Sequence, residues 1–98
     1  MKISPISHFK VYGKSMLPTL KPGQDVLVFN WAYIFSKPKN GDIVVIRVNS
    51  RDMVKRIQRV QGYECFVEGD NKETSTDSRD FGVIDRSRIV GKVIFINK

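Results

Sequence analysis

The sequence predicts an all-β fold, a single compact domain of mostly antiparallel strands that spans residues 1–98. Short apolar runs recur along the chain, turn-forming residues separate them, and the connections are too short for crossover helices. Hydrophobic residues make up 41% of the 98 positions, which is enough for one modest core, and the chain is too short for two domains.

The predicted strands are the apolar runs of the chain: residues 25–30, 43–48, 53–60, 63–68 and 89–97. Turn-forming pairs flank these runs, as at Asn40-Gly41. Residues 44–46 (Val-Val-Ile) are apolar without interruption. We therefore expect their strand to be covered on both faces and to be central in the sheet.

Two stretches outside these strands have less regular patterns. Residues 30–37 are rich in aromatic side chains and fit a helical turn or two, a strand or a surface flap. Residues 69–82 have Phe81 as their only apolar side chain, so their composition predicts a loop. Loops longer than about 12 residues in a compact domain are usually functional or disordered, so we expect this one to have a role.

The chain carries 17 Lys and Arg against 10 Asp and Glu, a formal net charge of +7. These basic residues are spread from Lys2 to Lys98 without the dense block of a nucleic-acid tail, so we expect a basic enzyme surface and no nucleic-acid partner. The alternative of another class is a non-enzymatic β-barrel that binds nucleic acid. It requires interleaved basic and aromatic residues, and the strand that contains Lys55, Arg56 and Arg59 has no aromatic residue.

The cysteine content and the hydropathy of the sequence argue against further classes of protein. Cys65 is the only cysteine, so no internal disulfide can form, and we expect no metal and no cofactor. No run of about 18 apolar residues is present, and residues 1–12 lack the order of a secretory signal. We expect no transmembrane anchor and a cytoplasmic location, and the aromatic residues 29–35 leave peripheral membrane contact open.

Ser15 is the candidate nucleophile. It lies in Gly-Lys-Ser-Met-Leu-Pro-Thr-Leu (residues 13–20), between a permissive glycine and the rigid Pro18. An ordinary turn serine is the alternative interpretation of these eight residues. A serine hydroxyl needs a neighbouring base, and His8, the only histidine, has no context that would orient it, so we expect a surface or edge position for it near a mobile terminus.

Lys55 is the candidate base. In a strand, residues two apart share a face, so Met53, Lys55 and Ile57 lie together while Arg56 points to the other side. Apolar neighbours make the ammonium form costly and lower the pKa of a lysine. The alternative is an exposed lysine on an edge strand.

Four segments in this order resemble the type I signal peptidases: residues 13–20, 41–45 (Gly-Asp-Ile-Val-Val), 54–57 (Val-Lys-Arg-Ile) and 69–79, which begins Gly-Asp-Asn and ends Ser-Thr-Asp-Ser-Arg. The resemblance implies the β fold shared by signal peptidases and LexA-type proteins. It also implies a Ser-Lys dyad in which Ser15 attacks the scissile carbonyl and Lys55 removes its proton. The implied substrate is a precursor polypeptide from which a leader or pro-segment is cut.

The resemblance assigns further roles around the dyad. Ser75 is expected to hydrogen-bond the catalytic lysine, and Asp77 with Arg79 to form an ion pair that shapes the long loop. The Ser15 backbone N–H is expected to contribute to the oxyanion hole. Met16 is expected to wall a small pocket for substrate side chains.

The chain departs from the family pattern at Gly13, where many bacterial members have a serine whose hydroxyl assists the oxyanion hole. Gly-x-Ser-Met here is similar to the mitochondrial inner-membrane peptidases and to the short nickel superoxide dismutase maturation proteases, so Gly13 is expected at the substrate-binding surface and nickel superoxide dismutase is a candidate precursor. Fourteen residues precede Ser15 and form no membrane span, so we expect a soluble branch. The closest rival function is a LexA-type self-cleaving Ser-Lys peptidase.

Overall fold

The computed structural model describes residues 4–97, and within them seven strands form one antiparallel sheet. The strands are β1 (Ile6–Lys10), β2 (Asp25–Phe29), β3 (Ile43–Val48), β4 (Arg51–Gln61), β5 (Glu64–Glu68), β6 (Ile84–Asp85) and β7 (Ile89–Ile96). Their order across the sheet is β1-β2-β7-β3-β4-β5-β6. The predicted all-β class is confirmed, and β3 is the middle strand, as its uninterrupted apolar run predicted.

Two strands were not predicted. Residues 6–10 were expected to belong to a mobile terminus, and this is wrong: β1 pairs with β2 over its whole length. Strand β6 is only two residues long and pairs with β5. Each depends on a partner strand rather than on a strong apolar pattern of its own, which is why local composition did not indicate it.

Short helical turns complete the structure. Helix α1 (Ala32–Phe35) shows that the helical-turn alternative for residues 30–37 is the right one. Helix α2 (Ser78–Phe81) lies inside the predicted loop, where Asp77 and Asp80 form a capping box at its start. A 3-10 turn at Arg86–Arg88 precedes β7. None of the helices within residues 4–97 is long and apolar enough to cross a membrane.

Two apolar clusters lie on opposite faces of the sheet. The first contains Val11, Met16, Leu20, Val26, Val28, Val45, Val54 and Val93. The second contains Val44, Ile46, Ile57, Cys65, Val67 and Ile84. Strand β3 contributes to both, because its successive side chains point to opposite faces. This arrangement explains why residues 44–46 of β3 are apolar without interruption.

The clusters determine where the candidate residues lie. The loop between β1 and β2 crosses the first cluster, into which Met16 and Leu20 insert at 1% and 0% exposure. Met53 and Ile57 pack with the second cluster, as the alternation around Lys55 predicted. Both the serine loop and the lysine strand are therefore held by buried apolar contacts.

Candidate active site

Two sets of contacts hold the Ser15 loop in place, one from the first apolar cluster and one from a neighbouring loop at its side. The buried Met16 fixes it to the first cluster, and the Leu17 N–H donates to the Lys14 carbonyl at 3.2 Å, which closes a tight turn around Ser15. From the side, the Asn71 N–H donates to the Ser15 carbonyl at 2.8 Å, and Asn71 Nδ2 donates to the Lys14 carbonyl at 3.1 Å. The loop that follows β5 thus holds the backbone of the candidate nucleophile.

Gly13 has a conformational role in this turn. Its φ is +72°, a region that side-chain-bearing residues rarely adopt, and a Cβ there would meet no atom within 4 Å. The residue is exposed. The glycine is required by the backbone angle and not by lack of space.

Lys55 is buried at 3% exposure, and its Nζ donates a hydrogen bond of 3.0 Å to Ser75 Oγ. Burial lowers the pKa of the Lys55 amine below its ordinary value. The nearby Asp77 carboxylate opposes this shift in pKa, and the Arg79 guanidinium reinforces it. The balance favours a neutral amine at lower pH than for an exposed lysine.

Asp77 organises the residues around that amine. Its side chain is fully buried, and it accepts hydrogen bonds from Ser75 Oγ at 2.6 Å, from the Gly69 N–H at 2.9 Å and from Arg79 Nε at 2.9 Å. Burial raises the pKa of Asp77, but the hydrogen bonds from Arg79, Ser75 and Gly69 outweigh burial and hold its pKa well below the usual range. Asp77 is therefore a carboxylate.

The charge of Asp77 settles the direction of the bonds at Ser75. A carboxylate can only accept, so the Ser75 hydroxyl must donate its proton to Asp77. Ser75 Oγ can then only accept from Lys55, which directs one N–H of the amine toward Ser75. When the amine is neutral, its lone pair points elsewhere and is available to another proton donor.

Gly69 allows the loop to approach both serines. A Cβ at this position would lie 2.3 Å from Ser75 Oγ and 2.5 Å from the Ser15 carbonyl oxygen. Any side chain there would push Ser15 away from the loop that carries Ser75. Gly69 was not predicted as a site residue, although the Gly-Asp-Asn segment contained it.

A second ion pair on the opposite face of β4 also reaches the serine loop. Arg56 Nε and Nη2 donate to the two carboxylate oxygens of Asp70, each at 2.9 Å, and Thr19 donates to the same carboxylate. The hydrogen bond from Arg56 lowers the pKa of Asp70. This contact joins β4, the loop after β5 and the end of the Ser15 turn, and it was not predicted from the sequence.

Contacts at Ser15 itself are sparse. Among residues 4–97, no hydrogen bond joins the Ser15 hydroxyl to Lys55, and the Ser15 backbone N–H has no acceptor. His8 is exposed on the edge strand β1, where its backbone pairs with Leu27. Its surface or edge position agrees with the expectation from the sequence.

A cavity of about 60 Å³ lies beside Ser15. Its walls are Phe9, Val11, Tyr12, Met16, Asp52, Met53 and Val54. The cavity is about a tenth as large as the other cavity beside β3, of about 640 Å³, so it suits a small side chain better than a bulky one. Met16 therefore serves both as a core residue and as a wall of the pocket.

Strand β4 is only partly paired on its β5 side next to this cavity. It pairs with β3 from Arg51 to Arg56, but its pairing with β5 begins only at Arg56. On the β5 side, no strand within residues 4–97 pairs with residues 53–55. Such an edge can accept an extended peptide by β-augmentation.

The fold and the candidate site are thus an antiparallel sheet that carries the Ser15 loop and the buried Lys55. A family model described as Peptidase S24-like matches residues 4–94, and the chain belongs to this family. The resemblance to the type I signal peptidases is also confirmed by the similar proteins.

Three relatives illustrate the similarity. Mitochondrial ATP-independent inner membrane protease subunit 1b of Arabidopsis thaliana is 34% identical over 86% of this chain and 65% of its own length. Subunit 1a of the same organism is 33% identical, with 91% and 68% covered. Signal peptidase I of Bacillus caldolyticus is 26% identical, with 97% and 81% covered. The chain thus spans about two thirds of the two plant proteins.

Proposed function

We propose that this protein is a serine endopeptidase that removes a leader or pro-segment from a precursor polypeptide, with Ser15 as nucleophile and Lys55 as base. The observation that carries the proposal is the buried Lys55 amine, hydrogen-bonded to Ser75 and close to the serine loop that Gly69 and Asn71 contact. A buried lysine without a direct carboxylate partner is costly as a structural element and useful as a base.

The proposed reaction assigns a role to each of these residues. Neutral Lys55 takes the proton of the Ser15 hydroxyl as Oγ attacks the scissile carbonyl carbon, and the Ser15 N–H donates to the oxyanion. The intermediate collapses to an acyl ester, and Lys55 transfers its proton to the leaving amine. Lys55 then accepts a proton from a water molecule as the water oxygen attacks the ester carbon. When the ester C–O bond breaks, Lys55 returns this proton to Ser15 Oγ, which restores the Ser15 hydroxyl and the neutral amine.

Substrate selection is assigned to the β5 side of residues 53–55 in β4 and to the small cavity. The peptide pairs with residues 53–55, which places one of its side chains in the cavity of about 60 Å³ beside Ser15. Only small side chains fit, so bulky residues are rejected at that position. Gly13 supplies no hydroxyl, and the Ser15 N–H is the donor that supports oxyanion stabilisation.

The experiment compares new protein N-termini in cells that carry the native enzyme with those in cells that carry Ser15→Ala. An N-terminus that depends on Ser15 identifies the precursor and the residues at the cut; nickel superoxide dismutase is one candidate. Cleavage of the chain itself, and of nothing else, would favour the LexA-type alternative. An unchanged set of N-termini, together with undiminished peptidase activity of pure Ser15→Ala, would exclude the proposed role of Ser15.

A further inference from the structure

A larger cavity, of about 640 Å³, lies outside the site described above. It is walled by α1, the end of β3, the turn between β4 and β5, and the segment from Asp85 to Gly91. Its volume falls within the range of about 300–1,000 Å³ that ligand pockets commonly have. Nothing in the proposed reaction uses it.

The cavity wall is cationic. Arg47, Arg86 and Arg88 line it, against the single carboxylate of Asp85. That carboxylate accepts the Ser87 N–H at 2.8 Å. Within residues 4–97, neither Arg86 nor Arg88 is within ion-pair distance of a carboxylate. The Asp85 carboxylate therefore interacts with both guanidinium groups only at longer range.

Arg86 is held in place without losing its charge. Its Nη2 donates to the Tyr33 carbonyl at 3.3 Å, and its guanidinium lies 5.7 Å from the centre of the Tyr63 ring. Tyr63 and Ile34 are exposed by 71% and 59%, so they present apolar surface beside the cations. The cavity wall thus presents fixed cationic hydrogen-bond donors next to apolar surface. This combination suits a negatively charged polymer that also has apolar groups.

An ion pair connects this cavity with the one beside Ser15. Arg47 Nε donates to Asp52 Oδ1 at 2.7 Å, and Nη2 donates to the other carboxylate oxygen at 3.1 Å. Arg47 lines the large cavity, whereas Asp52 lines the small one next to Ser15. A polypeptide paired with residues 53–55 of β4 is thus only one pair of side chains away from the arginine-lined wall.

We propose that the large cavity is an extended substrate-binding site that takes an acidic segment of the polypeptide cut at Ser15. The inference rests on the proposed function and names its substrate class: precursors with Asp or Glu residues near the cut. The planar arginine side chains at the cavity present paired donors that match carboxylates. Continuity with the Ser15 pocket favours a segment of the substrate over a separate ligand.

The test uses peptides that share one cleavage site and differ only in an added segment. One segment contains Glu residues and the other contains Gln at the same positions, and each is placed before or after the cut. For the native enzyme, we expect the Glu peptide to have a kcat/KM about tenfold higher on one side of the cut, mainly through KM, because exposed ion pairs are individually weak and only a few can form. The advantage should shrink at high salt.

Arginine variants test whether the higher kcat/KM of the Glu peptide depends on this cavity. Arg86→Gln with Arg88→Gln should abolish the advantage of the Glu peptide and leave cleavage of the Gln peptide unchanged. Arg88→Gln alone should reduce it about threefold, and because Arg88 is exposed, this variant keeps the test valid if the double variant does not fold. Arg59→Gln is the matched control, since Arg59 is an exposed arginine that stacks on Phe66 outside the cavity.

Each outcome has a distinct meaning. Cleavage of both peptides with equal kcat/KM overturns the acidic-segment site and leaves the proposed function intact, whereas no Ser15-dependent cleavage of either overturns the proposed function. An equal loss in Arg59→Gln shows a general charge effect and also overturns the site. With Ser15→Ala as the binding partner, an oligonucleotide of equal charge that binds to Arg86 and Arg88 more tightly than the Glu peptide would reassign the cavity to nucleic acid.

Discussion

Lys55 and Ser75, 20 residues apart in sequence, are joined by a 3.0 Å hydrogen bond from Nζ to Oγ, although Lys55 is only 3% exposed. Ser75 in turn donates to the buried carboxylate of Asp77 at 2.6 Å. Ser75 therefore orients the Lys55 amine and, because its hydroxyl is uncharged, does not offset the positive charge of the protonated amine. This arrangement keeps the amine in place while burial lowers its pKa.

Replacing Ser15 should abolish catalysis without affecting folding. Ser15→Ala removes one hydroxyl that has no hydrogen-bond partner among the described residues, so we expect an unchanged melting temperature and loss of essentially all proteolysis. Peptide cleavage and thermal unfolding measure the two effects. His8→Ala is the control and should remain fully active, because His8 is exposed on β1. A collapse of its chemical step with folding intact would transfer the base role to the histidine.

Activity should rise with pH as Lys55 loses its proton, with an apparent pKa below the ordinary lysine value of 10.5. Lys55→Met cannot accept a proton, and Lys55→Arg keeps its charge throughout this range, so both should be inactive. Single-turnover cleavage against pH, for the native protein and both variants, is the measurement. Substantial activity in Lys55→Arg would show that the site needs a positive charge and not a free amine.

Lys55→Met should also change the free energy of unfolding, by an amount that depends on pH. Because the pKa of Lys55 is lowered in the folded state, the unfolded chain binds its proton more readily, and folding is opposed until the pH rises toward the ordinary lysine pKa. Lys55→Met should therefore gain stability relative to the native protein at neutral pH, with a smaller gain near pH 10. Chemical denaturation at several pH values measures the difference. A gain that does not vary with pH would contradict the lowered pKa.

Asp77→Ala should destabilise the protein by about 3 kcal/mol, because the Ser75 hydroxyl loses its acceptor and the Gly69 N–H keeps only its longer bond to Ser75 Oγ. Since the pKa of Asp77 is lowered in the folded state, its stabilising contribution is present above the ordinary aspartate pKa and is lost as the pH falls below it. Activity should also decrease through misplacement of Ser75. Urea unfolding at neutral and acidic pH tests both statements.

A double-mutant cycle with Arg79→Ala tests the ion pair itself. Arg79 Nε lies 2.9 Å from Asp77 Oδ1, but the Arg79 side chain is 36% exposed, so solvent screens part of the interaction. We expect a measurable coupling free energy between the two substitutions, reduced by this screening. Strictly additive losses would mean that the pair does not shape the loop.

Gly69→Ala should reduce activity by about 100-fold or more, because the added Cβ cannot share space with Ser75 Oγ and the Ser15 carbonyl. Overpacking of this kind also costs about 1–3 kcal/mol of stability. Steady-state kinetics and thermal unfolding provide the two readouts. Thr76→Ala, an exposed change in the same loop, should leave both unchanged. Normal kinetics in Gly69→Ala would show that the close approach of the two loops is not needed.

The strands and the central position of β3 could be predicted because apolar runs and turn residues are local features. The positions of Met53, Lys55 and Ile57 on one face also follow from strand alternation alone. Helix α2 was missed, although Asp77 and Asp80 have capping-box spacing, because its residues otherwise have loop composition. The roles of Ser15 and Lys55 came from the resemblance to a family and stay predictions.

By itself, the sequence determined the all-β class, five strands and the candidate serine and lysine, since these depend on side-chain type and spacing along the chain. Only the tertiary structure decided which residues surround that lysine, how Arg56 and Asp70 join the loops, and where the arginine-lined cavity lies. These contacts join residues far apart in sequence. Their free energy comes from the burial of both faces of the sheet and from bonds between loops, which no local pattern encodes.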